Sequence, residues 1–111
     1  MKLFNEENKW YKGNLHTHTH LSDGLLTPDE AVLIYKNEHY DFISITDHRR
    51  ASKSEQHNDF LVLSGIELDV NDYVSRRAFH IVGIGFEGNI EYQEGLTAQD
   101  FEGSLFKLLE E

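Results

Sequence analysis

Cysteine is absent from the 111 residues, which excludes disulfides and thiolate chemistry and leaves the redox compartment open. Cations are scarce: Lys and Arg number 10 against 20 Asp and Glu, a formal charge of -10 with histidines neutral. Such a chain has no general electrostatic grip on a long phosphate backbone, so long nucleic acid is disfavoured as a partner. A small anion is still admissible, because bound metal ions change the field inside a pocket. No apolar run approaches the roughly 20 residues of a membrane span, and the opening MKLFNEENKW lacks a continuous apolar stretch after its lysine. The chain therefore reads as soluble and cytoplasmic, with no membrane partner. Repeats, low-complexity tracts and long Gly/Ser linkers are also missing. The length gives room for one domain that buries somewhat under about 70% of its extended surface.

Histidine, by contrast, is concentrated. Residues 15–24 read LHTHTHLSDG, with His16, His18 and His20 at alternating positions and Asp23 three residues farther on. Residues 10–17 fit a first strand, on which His16 and His18 share a face because side chains two apart in a strand do. Taken alone, the two histidines are ordinary polar strand residues and Asp23 is a turn residue. TPDE follows: Thr27 can cap a helix, Pro28 can occupy its first position and Glu30 can close a capping box, which predicts a helix from about Pro28 to His39 with Ala31, Ile34 and Tyr35 on one face.

Residues 41–47, DFISITD, predict a second strand that delivers Asp47 and His48 at its carboxyl end. RRASKSEQHN reads as a loop or short helix. A third strand, FLVLSGIELDV, has the continuous apolar look of a buried parallel strand in its first half and ends with Glu67 and Asp69. Residues 71–77 suit a hairpin turn, with AFHIVGIGF as the return strand carrying His80. TAQD then caps a final helix bearing Phe101, Leu105, Phe106, Leu108 and Leu109. This succession predicts an α/β fold with a partly parallel sheet. Trp10 and Tyr11 are expected in its core.

Imidazole and carboxylate donors suit zinc, manganese or iron, and ligands gathered from different strand ends are expected of a folded-state metal site. Arg49 and Arg50 can present guanidinium groups to a phosphate, although a solvated charge pair explains them equally well. His39 and His57 read as surface residues, and Gly83 and Gly85 lack the context of a nucleotide-binding turn.

Four ordered motifs resemble the polymerase and histidinol phosphatase (PHP) family: HTHTHLSDG at 16–24, ITDH at 45–48, SGIELD at 64–69 and FHIVGIGF at 79–86. The resemblance spans roughly residues 11–86. It implies a distorted seven-stranded β/α barrel, of which residues 1–111 would be the N-terminal part, about half. It also implies two or three divalent ions, with His16 and His18 on one, Asp23 and His48 on another, Glu67 bridging and His80 adding a ligand. Asp23, His48 and Glu67 would carry the catalytic role. His20, Arg49 and Arg50 would contact substrate, while Asp47 and Asp69 would support the ligands, Asp47 by orienting His48. Many members hydrolyse phosphate esters, so a small phosphorylated substrate or nucleotide is expected, attacked by metal-activated water. A complete member of this kind has a later histidine and a terminal Asp-x-His element, whereas no histidine follows His80. Residues 1–111 alone would then be weakly active or inactive as a monomer, and an exposed sheet edge or the C-terminal helix would favour homo-oligomers. A non-catalytic metal-binding or assembly module and a hydrolase of non-phosphate substrates are the alternative readings.

Overall fold

A computed structural model describes residues 7–72, 74–85 and 88. The expected final helix lies outside the described residues. Within them the chain runs β1 (Gly13–Thr17), α1 (Pro28–Asn37), β2 (Phe42–Ile45), β3 (Glu55–His57), β4 (Phe60–Leu63), β5 (Gly65–Asp72) and β6 (Arg77–Ile84). Among the described residues no helix is long and apolar enough to cross a membrane.

The helix starts where its sequence dictates. The Thr27 hydroxyl accepts from the Glu30 amide at 3.2 Å, and a Glu30 carboxylate oxygen accepts from the Thr27 amide at 3.0 Å, which completes the capping box with Pro28 just inside. Its packed stripe is Ala31, Val32 and Tyr35, whereas Ile34 is exposed. At 100° per residue, positions 31, 32 and 35 span one arc and position 34 falls off its edge. Val32 and Tyr35 of this stripe cover Ile43 and Ile45 of β2 and Phe60 and Val62 of β4, the alternate residues that form the first core.

The first sheet has the order β1-β2-β4-β3, with β1-β2 and β2-β4 parallel and β3-β4 antiparallel. The segment read as a loop or short helix thus contributes an edge strand. Trp10 and Tyr11, expected in the core, are 79% and 67% exposed ahead of β1.

The apolar stretch read as one strand is two strands in different sheets. The break falls at Ser64, where the Ser64 amide donates to Ser54 Oγ at 3.0 Å and the chain turns across β2. Gly65 is needed there because a Cβ would lie 2.4 Å from Ser44 Oγ and 2.7 Å from Thr46 Cγ2. Ser52 fixes the crossing: its hydroxyl donates to the Ile45 carbonyl at 2.7 Å and accepts from the Gly65 amide at 2.9 Å. Beyond it, β5 and β6 form an antiparallel hairpin whose buried face, Ile66, Leu68 and Val70 with Phe79 and Ile81, makes a second core.

These findings overturn the expected α/β half-barrel. A β/α barrel repeats a strand and a helix along one continuous parallel sheet. Here only β1-α1-β2 obeys that alternation among the described residues; β2 reaches β4 through an antiparallel edge strand, and β4 runs directly into a separate antiparallel hairpin. The architecture is a small mixed-sheet domain with one helix.

Candidate metal centre

The register of β1 places the first histidines. Asn14 pairs with Ile43 and Thr17 with Ile45, so three steps along β1 match two along β2. The extra residue is a bulge, which bends a strand and re-aims its side chains. Asn14 reaches the helix side, where its amide donates to the Tyr35 hydroxyl at 2.8 Å, and His16 turns to the opposite face, where Nδ1 lies 2.8 Å from Thr46 Oγ1.

The second contribution comes from the end of β2. His48 and Glu67 are opposed across a parallel bridge, held by the Glu67 amide donating to the Asp47 carbonyl at 3.1 Å and the Arg49 amide to the Glu67 carbonyl at 2.8 Å. The hairpin supplies the rest. Cross-strand partners share a face, so Asp69 opposite His80 and Glu67 opposite Val82 all project away from the second core.

These elements meet at Glu67, whose side chain is only 4% exposed. Its Oε1 lies 2.7 Å from His80 Nδ1. Three imidazole nitrogens converge on Oε2: His18 Nε2 in direct contact, His16 Nε2 at 3.6 Å and His48 Nε2 at 3.7 Å. Asp23 faces the same histidines from the solvent side, with Oδ1 2.6 Å from His18 Nδ1 and Oδ2 3.3 Å from His48 Nε2. The His16, His18, His48 and His80 rings follow one another edge to face at centroid separations of 4.8, 4.5 and 5.5 Å.

Two donor sets result, His16-His18-Glu67 and His18-Asp23-His48, each with atoms within 4.8 Å of one another. Glu67 Oε2 and His18 Nε2 are buried against each other as an ion pair with no further hydrogen-bond partner, and His48 Nδ1 is buried without one. A buried polar atom left unpaired is costly, and a cation drawn between the imidazoles and the carboxylate removes that cost. The donor types fit a borderline or hard divalent ion, so the cluster can hold a metal ion.

Electrostatics follow from the same contacts. Burial disfavours the charged form of His18, but the Asp23 and Glu67 carboxylates outweigh it and raise its pKa above the ordinary imidazole value. The hydrogen bond with His18, together with the nearby imidazoles, holds Asp23 below the usual carboxylate range. Asp69 is held low chiefly by its hydrogen bonds from Arg49.

The supporting residues are distributed differently from the sequence reading. Asp47 does not orient His48: it points to the other side and binds Thr19 and Ser22. Asp69 is the carboxylate beside that ring, with Oδ1 3.5 Å from His48 Nδ1 and no hydrogen bond formed. Arg49 is directed to Asp69 rather than to an open pocket: Nε donates to Oδ1 at 3.0 Å and Nη2 to Oδ2 at 3.1 Å. Arg50 lines a cavity on the helix side together with Asp29, Val32 and Lys53. His20 is exposed and belongs to neither donor set. Thr46 and Ser52, which anchor His16 and the crossing of β5, were not singled out in the sequence; the regular strand pattern ITDH and the polar run after it gave no signal for them.

No family model and no curated protein matches this chain.

Proposed function

We propose that this cluster is a divalent-metal centre and that, in the complete site, it serves the hydrolysis of a small phosphate ester. The carrying observation is the convergence of three imidazole nitrogens on one buried carboxylate oxygen of Glu67. The PHP-like motifs at residues 16–24, 45–48, 64–69 and 79–86 support the phosphoester class, and zinc, manganese or iron in two or three positions is the reading their donors favour. A bound divalent cation supplies a Lewis acid and a strongly nucleophilic water at neutral pH.

The residues would divide the work as follows. His16, His18 and Glu67 would hold one position and Asp23 and His48 would line the neighbouring one, the neutral imidazole of His18 having a single lone pair to give to either. His80 occupies the second oxygen of Glu67 and so keeps Oε2 turned toward the imidazoles. With Nε2 of His16 facing a cation, its Nδ1 carries the proton and donates it to Thr46 Oγ1. Asp69 Oδ1 stands beside Nδ1 of His48 at 3.5 Å without a hydrogen bond between them. Asp23, held deprotonated beside His18, acts as a ligand or proton acceptor and not as the acid that protonates a leaving group.

The test has two stages. The chain is titrated with Zn(II) and Mn(II), and phosphate release is then followed on small phosphate esters and nucleotides, with chelation and E67Q as controls. Metal uptake lost in E67Q, with chelator-sensitive phosphate release, supports the reading. Absence of uptake by the wild-type chain overturns it. Uptake without release, in a protein that also carries the later histidine and Asp-x-His element, favours a binding module.

A further inference from the structure

Asp47 is a buried carboxylate that the proposed chemistry does not use. It is 1% exposed and stands beside a ligand, His48, yet it projects from the helix side of β2. Burying a carboxylate this completely is costly unless hydrogen bonds replace its water. Three do. The Thr19 amide donates to Oδ1 at 2.6 Å, the Ser22 hydroxyl to Oδ1 at 2.7 Å and the Thr19 hydroxyl to Oδ2 at 2.7 Å.

All three donors lie in the loop between His18 and Asp23. That loop is also folded on itself, because the Thr19 carbonyl accepts from the Ser22 amide at 3.1 Å and from the Gly24 amide at 2.9 Å. Gly24 packs so closely that a Cβ would sit 2.4 Å from the His18 carbonyl oxygen. The loop is thus a tight turn pinned through Thr19 and Ser22 to Asp47, two residues beyond β2. Through its backbone the same Asp47 accepts the Glu67 amide.

We infer that Asp47 is a positioning residue: it fixes the His18–Asp23 turn relative to Glu67 and His48, and so sets the spacing of the donors drawn from three separate elements. This rests on the metal-centre reading, and it departs from a role in orienting His48. Asp47 acts by accepting hydrogen bonds, so the chemistry it needs is oxygen lone pairs and not a negative charge at the metal.

Three variants separate these roles. Asp47→Ala removes every bond to the turn. Asp47→Asn keeps an oxygen for the Thr19 amide and the Ser22 hydroxyl, and the Thr19 hydroxyl can rotate to accept from the new amide. Val62→Ala, in the first core, lowers stability without touching the turn. The readouts are Co(II) affinity and the d–d absorption spectrum of bound Co(II), on the full chain, with circular dichroism to confirm folding. Loss of a ligand-positioning contact is expected to weaken metal binding by about 10- to 100-fold. Asp47→Ala should show that loss and an altered band shape, Asp47→Asn should recover affinity to within about threefold of wild type, and Val62→Ala should keep the wild-type spectrum. If Asp47→Ala does not fold, Ser22→Ala and Thr19→Val, each removing one bond to the same carboxylate, should give smaller changes in the same direction.

An unchanged spectrum and affinity in Asp47→Ala, or in both loop variants where it does not fold, overturns the positioning role and leaves the metal centre standing. Asp47→Asn as impaired as Asp47→Ala also overturns it, in favour of a role for the charge. Failure of the wild-type chain to bind Co(II) overturns the metal reading itself, and the inference with it.

Discussion

His48 and Glu67 face each other across the parallel bridge that ties the end of β2 to β5, and their side chains leave the backbone on the same side. The bridge gives the cluster its rigid spine: one residue comes from the helix-covered sheet and the other from the hairpin. Substituting Glu67 should therefore remove the common partner of His16, His18, His48 and His80 at once. For Glu67→Gln we expect Zn(II) affinity to fall at least about tenfold, equivalent to about 1.4 kcal/mol, in a competition titration against a chromophoric chelator. Unchanged affinity would remove Glu67 from the ligand set.

The Arg49–Asp69 fork predicts an effect on acid stability. Because the folded-state pKa of Asp69 is depressed, its contribution is present above the ordinary carboxylate pKa and is lost as pH falls through the depressed value. Arg49→Ala should shift the acid-unfolding midpoint to higher pH. Both groups are partly exposed, so the loss near neutral pH should be no more than about 1 kcal/mol. Circular dichroism between pH 6 and about pH 2 checks this, and an identical acid midpoint in the two proteins would contradict it.

His18 carries the opposite sign. Its folded-state pKa is raised, so in the metal-free chain its contribution is full below the ordinary value of 6.5 and is lost as pH rises through the raised value. A ligand imidazole must be neutral, so metal uptake at neutral pH should expel a proton and affinity should climb with pH. Calorimetric titration with Zn(II) in buffers of different ionisation enthalpy measures that proton. A buffer-independent heat at pH 7 would count against His18 as a protonated site.

Gly65→Ala tests the crossing between sheets. The new methyl meets Ser44 Oγ and Thr46 Cγ2, and overpacking of this kind costs about 1–3 kcal/mol. Thr46 also contacts His16, so the variant should lose metal affinity along with stability. Urea denaturation supplies the first number, and a midpoint equal to wild type would show that the crossing is looser than described.

The parts that were legible are those written in local pattern. TPDE specified the start of α1 because its capping box is closed within four residues, and the hairpin followed from turn residues flanked by apolar runs. His16, His18 and Glu67 could be singled out because the motifs name residues, and these three do meet. What stayed hidden depends on partners distant in sequence. The run FLVLSGIELDV is continuously apolar in its first half and alternates in its second, and nothing local reveals that Ser64 and Gly65 divide it between two sheets; that division depends on Ser44, Thr46, Ser52 and Ser54. The continuous apolar character of its first half reads as one parallel strand, while the barrel expectation rests on the family resemblance. Arg49 looked free for phosphate because Asp69 lies 20 residues away. Asp47 was assigned to its neighbour His48, although adjacent residues on a strand point to opposite faces.

The division of residues 60–72 between two sheets couples the phase of one to the chemistry of the other. β4 is held in register by Leu61 against Phe42 and Val62 against Ile43, and one residue, Ser64, separates it from β5. Side chains alternate with a period of two, so an odd number of residues added at Ser64 reverses the parity of everything after it relative to β4. Glu67 and Asp69 would then turn toward the second core, and Ile66, Leu68 and Val70 toward the imidazoles. A two-residue insertion preserves the facing but displaces Glu67 by about 7 Å along its strand. The aliphatic registry of a four-residue strand thus acts as the phase reference for a polar cluster to which β4 contributes no side chain.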